Sequence, residues 1–155
     1  MKKLIFTIAL FSLTFSCKKQ IIKSEIEKKW AYCRETYDKQ ATLQKLVGNW
    51  KLVAIGCAFC DKPGIKPLKD LNNFTQLIEI RITSDQKMSI YENGNLTGTT
   101  DFNLVDSYNE GYFSIKIIPM GENNYTYGII EFCKDMVAFK NSYVDGADFY
   151  YERIK

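Results

Sequence analysis

The sequence contains no histidine among its 155 residues. This absence excludes Ser-His-Asp and Cys-His nucleophile arrangements, histidine-ligated zinc, axial-histidine haem and histidine general bases. The sequence also lacks a phosphate-cradling glycine loop, a calcium loop and a nucleophile elbow. We therefore expect a protein that is not an enzyme and that needs no cofactor and no metal.

An excess of one charge is also lacking. The chain has 21 basic and 18 acidic side chains, and the two signs alternate along it without forming a basic stripe. Such a pattern gives no basic surface of the kind that binds the phosphate backbone of nucleic acid. With 46% hydrophobic and 25% charged residues, the composition is typical of a soluble globular protein, and the length suits one domain. We expect one folded domain, monomeric, with no nucleic-acid partner.

The first residues predict an export signal. Lys2 and Lys3 precede an apolar stretch of twelve residues, Leu4 to Phe15, which is shorter than the roughly 20 residues that span a bilayer as a helix. We assign residues 1–16 to a signal peptide. Its removal leaves 19 basic and 18 acidic side chains, so most of the net charge of +3 belongs to the signal.

The end of this signal, Leu-Thr-Phe-Ser before Cys17, resembles a bacterial lipoprotein signal. In that family the cysteine is acylated and becomes the mature N-terminus, which implies that Cys17 is a lipid anchor. The resemblance implies a location in the bacterial cell envelope, on the outer membrane, facing the periplasm or the cell surface. An ordinary secretory signal beside a coincidental cysteine is the alternative.

Residues 17–47 predict a tether followed by an amphipathic helix. Ser24 and Glu27 have the spacing of a capping box, so the helix is expected to begin there. A second short turn, Ala41 to Val47, is expected to end before Gly48. The apolar stripe of the first helix, which needs a partner surface, recurs every three or four residues: Ile22, Ile26, Trp30, Cys33 and Tyr37.

From residue 48 to residue 155 the apolar period changes to two, which indicates strands. Short links rich in turn-forming residues imply antiparallel neighbours. Closure into an all-β, up-and-down barrel is favoured over a sandwich, because closure removes exposed edges. Eight strands are predicted: 48–58, 75–84, 87–92, 97–105, 111–118, 125–133, 136–142 and 147–154.

The segment that enters the first predicted strand carries a family resemblance. Gly48-x-Trp50 after a short helical turn resembles the opening of lipocalin-like (calycin-type) barrels, in which an arginine on the last strand packs across the tryptophan. Arg153 occupies that place here. Residues 46–155 are therefore similar to the small lipocalin-like lipoproteins of Bacteroidota-type bacteria. The resemblance implies structural roles for Gly48, Trp50 and Arg153, and a lid in the long link from Asp61 to Phe74 at the open end.

To predict which side chains point into the barrel, we take Trp50 as inward and follow the alternation along each strand. The interior positions are Leu52, Ala54, Ile78, Ile80, Met88, Ile90, Phe102, Phe113, Ile115, Ile130, Phe139, Phe149 and Tyr151. An interior cavity for a small hydrophobic ligand, carried or sensed at a membrane, is one hypothesis. A filled barrel that binds a protein, as a protease inhibitor or an envelope-complex subunit, is the alternative. The residues expected to line the cavity are Leu52, Ile80, Ile90, Phe102, Ile115, Phe139 and Tyr151.

Four cysteines remain after Cys17, an even number that favours disulfides in an exported chain. In an eight-stranded up-and-down barrel, the sixth strand ends with Cys133 at the level where the first begins, near the helix that carries Cys33. We expect a Cys33–Cys133 disulfide at the closed end. Cys57 and Cys60 would share the open end and either pair or stay reduced. No helix pattern follows them, which argues against thioredoxin-type chemistry.

A carboxylate pair is the catalytic option that survives without histidine. The candidates are Glu79, Asp101, Glu131 and Glu152. Each alternates with apolar residues on its predicted strand, so each is expected to point to solvent.

Overall fold

A computed structural model of the chain describes residues 23–33, 35, 37–57, 64–71, 74–107, 111–118, 126–141 and 146–155. Two helices, α1 (Glu25–Ala31) and α2 (Lys39–Leu46), precede the strands, and a single 3-10 turn spans Leu68–Asp70. No helix in these described ranges is long and apolar enough to cross a membrane. The strands are β1 Gly48–Cys57, β2 Gly64–Pro67, β3 Ile78–Ile82, β4 Lys87–Glu92, β5 Asn95–Asp106, β6 Phe113–Ile118, β7 Ile129–Cys133, β8 Met136–Lys140 and β9 Asp148–Arg153.

The strands form one closed antiparallel barrel. β1 pairs with β3, each strand from β3 to β9 pairs with the next, and β9 returns to pair with β1. β2 pairs with β1 alone, so eight of the nine strands form the ring. The predicted eight-stranded barrel is confirmed. We call the end at which β1 begins the closed end and the end at which β1 finishes the open end.

β2 was not predicted. It lies within the long connection between β1 and β3, where its register places Ile65 opposite Gly56 and Pro67 opposite Ala54. Pro67 is compatible with this position because β2 is an edge strand, where a missing N–H leaves no ladder bond unmade. Four residues, of which one is glycine and one is proline, are too few to show a convincing period of two.

The barrel interior holds one apolar cluster of sixteen buried side chains. Trp50, Phe102, Phe132, Phe139 and Tyr151 are the largest, and each is less than 2% exposed. The Phe139 and Tyr151 rings meet edge to face at 5.7 Å between centroids. Because burial of one such side chain contributes about 1.5–3 kcal/mol, this cluster is the main source of stability.

A β-bulge in β1 changes which side chains face inward. Leu52 lies opposite Tyr151, but the next paired residue, Ala54, lies opposite Tyr150, so Val53 is the extra residue. Beyond the bulge, Ile55 packs against the interior cluster and Ala54 joins a second cluster outside the barrel. The prediction that Ala54 faces the interior was therefore wrong.

Helix α1 is shorter than the apolar spacing predicts. Ser24 caps it by accepting a hydrogen bond from the Glu27 amide at 3.1 Å, and the helix ends at Ala31. Trp30 packs on the outer face of the barrel, edge to face with Tyr150. Cys33 and Tyr37, at the C-terminal end of the predicted stripe, lie beyond the helix. Both contact β7, Cys33 through its bond to Cys133 and Tyr37 through its ring against Phe132.

Helix α2 covers the closed end. Asp38 caps it by accepting from the Ala41 amide at 2.8 Å. At its other end Leu46 is fully buried in the interior cluster, and the Trp50 indole N–H donates to the Leu46 carbonyl at 2.7 Å. The short turn predicted before Gly48 is thus a helix of eight residues.

Candidate functional site

The closed end is held by a contact between the first and last strands. The Arg153 guanidinium carbon lies 4.1 Å from the centroid of the Trp50 ring. The same guanidinium donates to the Val47 carbonyl at 2.7 Å and to the Lys45 carbonyl at 2.5 Å. The predicted cation–π contact is therefore present, and it also satisfies carbonyls at the end of α2 that the helix itself leaves unpaired.

Gly48 is required by this arrangement. Its φ of +144° lies in the range that favours glycine. A Cβ at this position would also collide with the guanidinium of Arg153. The Gly-x-Trp spacing thus has a physical reason here. A glycine two residues before Trp50 leaves room for the Arg153 guanidinium that packs on the Trp50 ring.

The residues expected to line a cavity lie inside the barrel. Leu52, Ile80, Phe102, Ile115, Phe139 and Tyr151 all belong to the interior cluster, and none is more than 3% exposed. Ile90 differs, because it is only half-buried and packs against the edge of the cluster. Their assignment as ligand contacts stays a prediction.

The open end is bounded by half-buried apolar side chains. Ile55 and Ile90 come from the barrel strands, while Leu68 and Phe74 come from the connection between β1 and β3, and all four pack against the interior cluster. The connection therefore folds back on the barrel with apolar residues beneath it. Part of the segment expected to form a lid, 61–63 and 72–73, lies outside the described residues.

A charged cluster on the outer wall was not foreseen. Lys140 and Glu131 form an ion pair of 2.8 Å, with side chains 10% and 5% exposed. The Trp30 indole N–H also donates to Glu131, at 3.3 Å. The prediction that Glu131 points to solvent was wrong, because α1 covers this face. Of the other carboxylate candidates, Asp101 and Glu152 are exposed and Glu79 is half-buried.

A second polar cluster ties the segment before α2 to the closed end. The Lys45 ammonium donates to the Glu35 carboxylate at 2.6 Å and also to the Tyr37 hydroxyl, which donates to Glu35 at 2.5 Å. Hydrogen bonds from Lys45 and Tyr37 lower the pKa of Glu35 to about 2. Burial of Lys45 works to lower its pKa, but the bonds to Glu35 and Tyr37 outweigh it and the Lys45 pKa is raised. The Tyr37 ring rests edge to face on Phe132.

The cysteines follow the predicted topology at the closed end. Cys33 and Cys133 form a disulfide across a sequence separation of 100 residues, with their Cα atoms 5.2 Å apart, and the predicted pairing is confirmed. Cys57 is also disulfide-bonded. Cys60, its predicted partner, lies outside the described residues, as do the predicted signal peptide 1–16 and Cys17.

The outer wall also carries a surface depression of about 330 Å³. It lies beside β1, β3 and β4, and Ile80 of the interior cluster also contributes to its lining. Its lining combines an aromatic ring, both signs of charge and an aliphatic side chain, and includes Asn49, Glu79, Arg81, Tyr91 and Ile154. The sequence pattern identified these strand positions as outward but gave no reason to group them.

The fold defines the chain as a closed eight-stranded antiparallel barrel, tied at one end by an arginine–tryptophan contact. No family model, no curated protein and no solved structure matches the chain. Within the described residues, no cluster of three or more cysteine, aspartate or glutamate side chains could hold a metal ion. The features that bear on function are therefore the barrel, its two ends and the sequence before it.

Proposed function

We propose that this chain is an exported, lipid-anchored barrel of a bacterial cell envelope that binds a small hydrophobic molecule at its open end, without catalysis. The signal-like residues 1–16 and Cys17 support export and anchoring. The Cys33–Cys133 disulfide supports export independently, because such bonds persist in oxidising compartments and are rare in the cytosol. The resemblance of Gly48, Trp50 and Arg153 to lipocalin-like barrels supports a binding role.

The observation that carries the ligand proposal is the group of half-buried apolar side chains at the open end. Ile55 and Ile90 of the barrel strands, and Leu68 and Phe74 of the connection between β1 and β3, pack against the interior cluster without being fully buried. Apolar side chains that are not fully packed by their own barrel leave area for an apolar guest. Since pockets for small molecules are concave and mostly apolar, the favoured site lies at this end, beside the connection between β1 and β3.

A matched pair of tryptophan variants tests this site. Ile90→Trp should fill the open end, whereas Ile154→Trp adds the same bulk at an exposed position outside the barrel. We expect wild type and Ile154→Trp to bind the fluorescent probe N-phenyl-1-naphthylamine alike, and Ile90→Trp to lose about tenfold or more in affinity, about 1.4 kcal/mol. Equal binding by all three proteins would place the probe elsewhere and reject the open-end site.

Anchoring is tested separately by the mass of the N-terminal peptide of the protein purified from a bacterial envelope. Acyl chains on Cys17 are expected, and an unmodified cysteine would remove the anchor. Several acyl chains hold a protein on a membrane without a spanning helix, at about 0.8 kcal/mol per buried CH₂ group. This result is independent of whether the barrel binds a probe.

A second candidate is a barrel that binds a protein. The filled cluster between Trp50 and Tyr151 favours it, and the outer-wall depression offers a surface with Arg81 and Tyr91, residue types that are common at interfaces. Native mass spectrometry separates the candidates. A reproducible lipophilic adduct supports the ligand proposal; a ligand-free barrel that retains a partner protein, lost in the variant R81A/Y91A, supports the second.

A further inference from the structure

Helix α1 lies on the outer wall, and the residues just before and just after it contact opposite ends of the barrel. At its start, the Ser24 hydroxyl donates to the Ile65 carbonyl at 2.8 Å. Ile65 lies on β2 opposite Gly56, one residue before the end of β1. Beyond its other end, Cys33 is joined to Cys133 at the closed end. The point at which the chain leaves the described structure toward its N-terminus therefore lies at the open end.

The chain between this point and Cys17 is short. Seven residue steps separate Cys17 from Ser24, and covalent geometry limits their span to about 25 Å. A relaxed flexible chain of this length spans roughly 15 Å. β1 has ten residues, and at a tilt of about 40° it rises about 25 Å along the barrel axis. A lipid anchor could thus reach the level of the closed end only if the tether were fully stretched along the wall.

From these lengths we infer that the open end of the barrel faces the lipid bilayer. The inference rests on the proposed lipidation of Cys17, and it commits to a membrane surface as the occupant of this end. A membrane at the open end costs the tether little conformational freedom, whereas a membrane at the closed end would require its full extension. The orientation follows from where α1 begins and not from the anchor alone.

The open end offers a suitable surface for this contact. Leu77 and Leu96 are 36% and 58% exposed and flank the turn at Asn93 and Gly94. Asn93 fixes Leu77 through two hydrogen bonds, one from its amide to the Leu77 carbonyl and one from the Leu77 amide to its side chain. Two exposed aliphatic side chains on a braced turn can enter the interfacial region of a bilayer.

The test uses the acylated protein, purified from the envelope and placed in nanodiscs that contain a gadolinium-chelating lipid. Paramagnetic attenuation of backbone amide signals then reports distance from the lipid surface. We expect loss of signal at Leu77, Gly94 and Leu96, and retained signal at the closed-end turns that contain Asp85 and Asp135. Equal attenuation at both ends, stronger attenuation at the closed end, or attenuation at Tyr32 beyond α1 equal to that at Gly94 would overturn the inferred orientation.

A variant with a longer tether provides the control. Inserting twelve Gly/Ser residues between Lys23 and Ser24 leaves the barrel and the anchor unchanged but lets the anchor reach either end. The difference in attenuation between Gly94 and Asp85 should fall, and an unchanged difference would show that the tether length does not set the orientation. A protein without acyl chains refutes the proposed anchor, whereas an acylated protein with its closed end attenuated refutes only this inference.

Discussion

The indole N–H of Trp30 donates at 3.3 Å to the carboxylate of Glu131, a residue 101 positions later in the chain. Glu131 also pairs with Lys140 at 2.8 Å, and both charged side chains are almost wholly buried. An ion pair in this position faces outward from the barrel yet sits beneath a helix. Its effect on the free energy of unfolding depends on whether one or both of its side chains are replaced.

Breaking the buried pair should cost more than removing it. We expect Lys140→Met to lower the free energy of unfolding by about 3–5 kcal/mol, because it leaves the Glu131 carboxylate buried without its cation. The double variant E131L/K140M should recover most of this loss, since no unpaired charge remains. Urea denaturation of both variants and wild type measures the difference, and a double variant as unstable as Lys140→Met would contradict the argument.

The position of Glu131 also shows where prediction from sequence stops. Alternation correctly placed this side chain on the outer face, but period two cannot tell a face covered by a distant helix from one facing solvent. A usable signal was present: β7 and β8 read Ile-Ile-Glu-Phe-Cys and Met-Val-Ala-Phe-Lys, nearly continuous apolar runs of the kind found in strands buried on both faces. The apolar stripe around Trp30 needed just such a partner.

Contacts between sequence-distant residues were predictable where topology constrained them. The strand directions of an up-and-down barrel were enough to pair Cys33 with Cys133, whereas the contact of Arg153 with Trp50 was expected from the resemblance to lipocalin-like barrels. The bulge at Val53 was not predictable. Val53, Ala54 and Ile55 are all apolar, so the sequence does not show which of them face the interior. The extra residue is the reason that Ala54 faces α1 and Ile55 faces the interior.

Replacing the Arg153 guanidinium by another cation should lower the stability of the fold. Arg153→Lys keeps a charge but cannot hold both the Val47 and Lys45 carbonyls while stacking on Trp50. We expect a loss of about 2–4 kcal/mol in the free energy of unfolding, from the cation–π contact and the charged hydrogen bonds together. Lys155→Ala, at an exposed position two residues later, should change stability by less than about 0.5 kcal/mol. Similar stability of both variants would mean that the contact does not hold the closed end.

The Cys33–Cys133 disulfide should stabilise the fold mainly by restricting the unfolded chain. For a separation of 100 residues, the chain-entropy model gives about 4–5 kcal/mol. We therefore expect the free energy of unfolding of the paired variant C33A/C133A, measured by urea denaturation, to be lower than that of wild type by this amount. Proteolysis near α1 should also become faster, since the helix would lose its covalent tie to β7. A loss below about 1 kcal/mol would mean that the unfolded state is already restricted elsewhere.

The Glu35 pKa predicts a loss of stability in acid. Lys45 and Tyr37 lower this pKa from 4.5 to about 2, so the folded state holds the carboxylate charged at pH values where the unfolded state is protonated. The contribution of Glu35 is complete above about pH 4.5, is lost as the pH falls toward 2, and is absent below that. Glu35→Gln should therefore be less stable than wild type at pH 6, and the difference should shrink between pH 4.5 and 2.

Solvent limits the size of this effect, because the Glu35 side chain is 36% exposed and salt screens such a pair. The measurement is the free energy of unfolding against pH for wild type, Glu35→Gln and the exposed control Glu152→Gln, at low and high salt. The control shows how much of the change comes from removing one exposed carboxylate. If the Glu35→Gln difference stayed constant from pH 6 to pH 2, the charge on Glu35 would not be what ties the segment before α2 to the barrel.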